Sequence, residues 1–431
     1  MTMTSRLVGR DPALAMAGSA LSAALNGTGR LLLVGGEPGI GKTALARSVA
    51  DDARRAGARV VWSACSGGAP VYWPWTQVLR ELAESRLVLS PRSEDPDEPL
   101  SRFELHDSVA RAIGDAARDT PLVVVIDDLH WADEGSLELL DTLARGLGGR
   151  SLLVLGTYRD LESPASLTRI AASVDGITLG GLDAPAVLRL VTTITGTAPS
   201  AADAEDLTAR TAGNPLFVRE VARLLVAHGT GRPPPAQLPK TVAETLRRRL
   251  AALGGECRDL LTVAAIADDR DPTLLAAVTS QEPGALETLV DEAVMARVLC
   301  DAAEDDGHSP FVHDLFREAV LADVPPRHRR HVNAAVGRAL VGLVASGHPA
   351  GAGRVAAHLI ASLPGDEETT EAARTWAVRA AEEATAALGH EEAARWYRAV
   401  LSIAGRPDAR LTLRLGEAEL GAANRRHARR S

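Results

Sequence analysis

Eight consecutive residues carry the clearest chemistry in this chain: Gly36-Glu37-Pro38-Gly39-Ile40-Gly41-Lys42-Thr43 satisfies the pattern G-x-x-x-x-G-K-[ST]. Glycines at these spacings let the backbone curl so that its N–H groups face phosphate oxygens. The good helix-forming run that starts at Ala44 adds the positive end of a helix dipole. Lys42 is placed to reach the β- and γ-phosphates of a nucleotide, and the Thr43 hydroxyl to ligate Mg2+. Lys42 and Lys240 are the only lysines in a chain that otherwise uses arginine. A lysine kept against that bias fits a place that needs a compact ammonium rather than a planar guanidinium.

Two further strand ends supply partners. Residues 122–126 are continuously apolar and end in Asp127-Asp128. An acid at the carboxyl end of a buried strand, in a chain with a phosphate loop, is the expected Mg2+ partner. Asp127 is therefore read as the metal-holding residue and Asp128 as a base for the attacking water, with a cap of the following turn as its plainer role. A third apolar run, residues 151–156, leads into Thr157-Tyr158-Arg159. A hydroxyl and a guanidinium there can meet a γ-phosphate and tell ATP from ADP.

These groups need a parallel sheet to hold them at one edge. Residues 30–34 form the strand before the phosphate loop. Helical segments at 80–85, 103–117 and 136–146 alternate with the strands, so the expected class is an α/β P-loop NTPase with its ligand at the carboxyl edge. The chain has 431 residues, enough for about three domains, with 24% charged and 46% hydrophobic residues, an ordinary globular composition. No apolar run approaches membrane-span length, and no apolar leader follows Met1. Cys65, Cys257 and Cys300 lie far apart without metal-ligand spacing, which fits a reduced, cytoplasmic protein. A net charge of −9 argues against a chain built around nucleic-acid contact. The aromatic cluster Tyr72-Trp73-Pro74-Trp75 is expected to pack a loop onto the core rather than to meet a partner.

Six motifs in order carry a family resemblance: Leu7-Val8-Gly9-Arg10, the phosphate loop, Ala69-Pro70-Val71-Tyr72-Trp73-Pro74-Trp75, Asp127-Asp128-Leu129-His130-Trp131-Ala132-Asp133, Gly156-Thr157-Tyr158-Arg159-Asp160 and Ala212-Gly213-Asn214-Pro215-Leu216-Phe217. Together they are similar to the STAND-class signal-transduction ATPases of AAA+ type, and most to the ATPase part of large LuxR-type transcriptional regulators of actinomycetes. The resemblance implies that Val8, Gly9 and Arg10 lie against adenine, that Pro215 packs on the base, and that Arg159 senses the γ-phosphate. It also implies that His313 touches the β-phosphate of ADP in a closed state.

The expected organisation is an ATPase core at 1–180, a helical lid at 181–230, a Pro-rich connector at 231–239, a winged-helix-like domain at 240–325 and an α-helical, partly TPR-like region at 326–431. Within the fourth segment, Thr241 and Glu244 resemble a capping box, and residues 298–300 and 310–312 flank a polar turn at 304–307, read as a wing hairpin. In the last segment, Ala393-Ala394-Arg395-Trp396-Tyr397 occupies small-plus-aromatic repeat positions. Full-length regulators of the resembled type continue to a helix-turn-helix, and no such DNA-binding module is expected in these residues; the basic tail from Arg425 reads as a solvated end. The expected function is an ATP/ADP switch with slow hydrolysis, an effector or protein partner on the helical C-terminus, and ATP-dependent self-association. The alternatives are a housekeeping AAA+ ATPase whose turnover is its output, or a truncated regulator that only binds nucleotide.

Overall fold

The computed structural model describes residues 7–66, 69–82, 102–227, 242–300, 310–312, 314–404 and 408–428. The strands are Arg30–Gly36 (β1), Arg59–Ala64 (β2), Leu122–Asp127 (β3), Leu152–Thr157 (β4) and Asp175–Leu179 (β5). They form one sheet in the order β2-β3-β4-β1-β5, with every pairing parallel. The register sets Val34 beside Thr157 and Ile126 beside Gly156. The phosphate loop after β1, Asp127 at the end of β3 and Thr157 at the end of β4 consequently share one carboxyl edge.

Helices Asp11–Leu25 (α1), Lys42–Arg55 (α2), Trp73–Glu81 (α3), Arg102–Ala116 (α4), Glu134–Arg145 (α5) and Ala165–Ala171 (α6) cover both sheet faces. Side chains alternate across a strand, so a sheet covered on both sides needs apolar residues at every position. Leu33, Val124, Ile126 and Val154 pack toward α3–α6, whereas Leu32, Val125, Leu153 and Leu155 pack toward α1 and α2. The aromatic cluster opens α3 rather than lying in a loop. Tyr72 turns the chain with φ 62°, and Pro74 falls in the first turn, where its missing N–H costs no helical hydrogen bond. Tyr72 and Trp75 are buried, and the Trp75 indole N–H donates to the Ser136 carbonyl at 3.0 Å.

Three helices follow the sheet: Ala184–Thr195 (α7), Ala201–Thr211 (α8) and Pro215–Ala227 (α9). Asp183 and Ser200 cap the first two, each accepting a first-turn N–H. The Pro-rich connector at 231–239, Thr241, the turn at 304–307, His313 and the last residues of the basic tail lie outside the described residues.

Helices Val242–Ala251 (α10), Gly255–Ala267 (α11), Pro272–Thr279 (α12), Pro283–Met295 (α13) and Asp314–Asp323 (α14) share one apolar core. Beside them Leu299 pairs antiparallel with Phe311, and the Cys300 N–H donates to the Pro310 carbonyl at 3.0 Å. Five more helices follow: Pro326–Ala345 (α15), Ala352–Ala361 (α16), Glu367–Ala386 (α17), His390–Ala404 (α18) and Ala409–Ala428 (α19). Alanines along α17 let α18 approach closely, with Trp396 and Tyr397 filling the seam. This region seats on the sheet domain: Val71 packs into its apolar cluster, and Glu391 lies 3.5 Å from Arg102. Among the described residues no helix is long and apolar enough to cross a membrane.

Candidate nucleotide site

Helix α2 starts directly behind Gly41, whose φ of 105° strains any residue with a Cβ. Among the described residues no side chain caps the first-turn N–H groups of α2, and a phosphate suits those donors. The buried Lys42 ammonium folds back over the loop and donates to the Gly36 and Glu37 carbonyls at 2.9 and 3.0 Å. Those bonds hold the charge over the loop where phosphate oxygens would compete for it.

Three oxygens converge beside it. The Thr43 hydroxyl donates to Asp127 Oδ1 at 3.3 Å, and the Thr157 hydroxyl donates to the same oxygen. Asp127 is buried at 3% exposure. The Thr43 hydroxyl at the start of α2 and the Asp127 carboxylate at the end of β3 form a hard-oxygen donor pair that suits Mg2+, which takes one or two protein ligands and completes its shell with phosphate and water. Asp128 adopts a left-handed φ of 56°, and its N–H donates to Thr157 Oγ1 at 3.0 Å. Thr157 thereby fixes both acids. The Asp128 carboxylate is 29% exposed and lies 3.7 Å from His130 Nδ1, so it keeps access to water as a base requires. Arg159 is buried and pairs with both oxygens of Glu162 at 3.0 and 3.1 Å and with Glu318 of α14 at 2.9 Å.

Two clasps hold neighbouring segments onto the phosphate loop. The buried Arg10 guanidinium donates to the Ile40 carbonyl and to the Gly180 carbonyl, each at 2.7 Å. Burial depresses its pKa, and these carbonyls satisfy two of its donors. Val8 packs among the apolar residues of α7–α9, and a Cβ at Gly9 would come within 2.6 Å of the Ala186 Cβ. From the other side, Asn214 Nδ2 donates to the Pro38 carbonyl at 2.9 Å, while its Oδ1 accepts the Leu216 N–H. Pro215, half-buried, opens α9 at that clasp. The structure thus gathers Val8, Gly9, Arg10, residues 36–44, Asp127, Asp128 and Pro215 around one sheet edge. His313 is the one expected site residue it does not describe.

Sequence reasoning assigned no role to Asn214 or Asp133. Asp133 caps α5 and also accepts the Tyr72 N–H at 3.0 Å, joining the segment after Asp127 to α3. Burial raises its carboxyl pKa, against hydrogen bonds from Ser136 and Tyr72 that lower it. Cys65, at the end of β2, is buried near this acidic segment. Burial and then Asp133, Asp128 and Asp127 push its thiol well up, which disfavours the thiolate.

Residues 6–155 match the AAA ATPase domain family. An uncharacterized protein of Rhizobium meliloti (strain 1021) is 25% identical over 380 residues, covering 76% of this chain and 36% of that protein. A Signal Transduction ATPase with Numerous Domains (STAND) protein with a tetratricopeptide repeat sensor, from Pyrococcus horikoshii, has a similar fold. It aligns with a TM-score of 0.55 at 16% identity, covering 93% of this chain and 58% of that one. The chain spans 36% of the length of the first relative and 58% of the second.

Proposed function

We propose that this chain is an ATP/ADP-controlled switch of the STAND type, closest in kind to the ATPase region of LuxR-type regulators, in which slow hydrolysis resets the state. The observation that most supports it is the pair of clasps: Arg10 and Asn214 each donate to a carbonyl of the phosphate loop. The base-side segment, the phosphate loop and the helical lid are thereby tied mechanically, so a change at the phosphates is felt by α7–α9.

In this reading Lys42 and the loop N–H groups of residues 36–44 bind the phosphates, and Val8, Gly9, Arg10 and Pro215 line the base. Thr43 and Asp127 would hold Mg2+, which neutralises phosphate charge. Asp128 orients and deprotonates the attacking water, and Arg159 reports the γ-phosphate. Helices α10–α14 with the Leu299–Phe311 pairing suit a winged-helix body, whose His313 would meet the β-phosphate of ADP. Helices α15–α19 suit a TPR-like surface for an effector or protein partner, in a cytoplasmic protein that self-associates with ATP.

Light scattering of the full chain with ADP, ATP or a non-hydrolysable ATP analogue tests this. A small species with ADP and a larger one with the analogue is expected. Fast turnover with a size indifferent to nucleotide would overturn the switch in favour of a working ATPase.

A further inference from the structure

We propose that Glu318 is a latch on Arg159: a carboxylate carried by α14 that occupies the γ-phosphate-sensing guanidinium and sets this arrangement against ATP. This rests on the placement of Arg159 at the nucleotide, as proposed above, and adds what regulates it.

Arg159 lies two residues beyond Thr157, whose hydroxyl touches Asp127. Its Nη1 donates to Glu162 at 3.0 Å and to Glu318 at 2.9 Å, and the Arg159 side chain is only 7% exposed. The two carboxylates differ in kind. Glu162 sits three residues on and travels with Arg159, whereas Glu318 arrives from 159 residues away on another body. Helix α14 holds Glu318 rigidly. Phe316 is buried at 1% exposure, and Arg317 Nε donates to the Ala265 carbonyl at 2.8 Å and pairs with Asp268 at 3.1 Å. Glu318 therefore cannot follow Arg159 unless α10–α14 move with it.

The charges decide which nucleotide this arrangement accepts. A guanidinium between two carboxylates is already neutralised, and a γ-phosphate adds negative charge that Glu318 repels. ADP brings no such charge. For Arg159 to bind a γ-phosphate, Glu318 must withdraw, and by reciprocity ATP binding then releases α14 from the core. A second tie keeps α10–α14 attached to α9 when α14 leaves the core. The buried Glu220 of α9 pairs with Arg223 at 2.6 Å and with Arg249 of α10, and Arg249 lies over the Phe316 ring. Glu318 itself is 48% exposed, so replacing it leaves the packing intact.

The test uses the full chain and its Glu318→Gln, Arg159→Ala and double variants, with fluorescent ATP and ADP analogues as probes. Glu318→Gln should raise affinity for ATP relative to ADP by about fivefold or more, the lower end of ordinary allosteric coupling. In the Arg159→Ala background the same substitution should do nothing. An unchanged ATP-to-ADP ratio in Glu318→Gln overturns the latch while leaving the site standing. So does an equal shift without Arg159. A parent chain that binds neither analogue overturns the site and the latch together.

Discussion

Replacing Asn214 with aspartate should weaken nucleotide binding more than replacing it with alanine, although aspartate is the better start for a helix. Asn214 is 3% exposed and makes two side-chain bonds, donating to the Pro38 carbonyl at 2.9 Å and accepting the Leu216 N–H at 3.1 Å. A carbonyl must face the amide nitrogen and an N–H must face the amide oxygen, so the partners themselves fix the orientation of the amide. Asn214→Ala leaves both partners unmet, at about 1–3 kcal/mol for each buried group. A loss of about 2 kcal/mol is roughly thirtyfold in the equilibrium that holds the start of α9 on the phosphate loop. Asn214→Asp keeps the Leu216 bond, so α9 stays well started. Its second oxygen, however, replaces a donor with an acceptor facing the Pro38 carbonyl and adds charge beside the phosphates. Nucleotide affinity measured by fluorescence titration should therefore rank parent, alanine, aspartate, while thermal stability should rank aspartate above alanine. An Asn214→Asp chain that binds ATP and ADP within twofold of the parent would refute the clasp.

Two other expectations follow from burial. Trp75→Ala should cost about 3–5 kcal/mol in chemical denaturation, because Trp75 is 1% exposed and its indole satisfies the Ser136 carbonyl; a change under about 1 kcal/mol would return the aromatic cluster to the role of a partner surface. Burial, then Arg354 and Arg317, depress the His358 imidazole from 6.5 to about 4. The unfolded chain therefore takes up a proton there that the folded chain refuses. The stability this neutral ring contributes is full above about pH 6.5 and is lost as pH falls toward 4, up to about 3 kcal/mol. Urea midpoints at pH 7 and pH 4.5 should converge in His358→Gln relative to the parent; an unaltered pH slope would exclude this residue as their cause.

The parts of the site legible in the sequence are those whose chemistry is local. The phosphate loop needs its glycines in a row, and Asp127 and Thr157 are marked by the central strands they end, which are apolar throughout because both faces are covered. The outer strands gave no such signal. Strand β2 is exposed at its first residue, and β5 alternates, with Ile177 and Leu179 buried between exposed neighbours, so neither stands out as a continuous run. Helix α8 escaped because only Ala204, Leu207 and Thr211 are buried along it. Asn214 enters the sequence reading only as a member of the motif around Pro215, since its partner Pro38 lies 176 positions away. The pairing of Arg159 with Glu318 has no local pattern at all. Both depend on the fold rather than on spacing.

The most direct test of the nucleotide site is the nucleotide content of freshly purified protein, by denaturing extraction and chromatography, for the parent chain and Lys42→Ala. Lys42 folds onto the Gly36 and Glu37 carbonyls of a loop at the edge of an independently packed sheet, so the variant should remain folded. Near-stoichiometric ADP or ATP in the parent and none in Lys42→Ala is the expected result. A folded Lys42→Ala chain that retains nucleotide at the parent's level would contradict the assignment of this loop as the phosphate site.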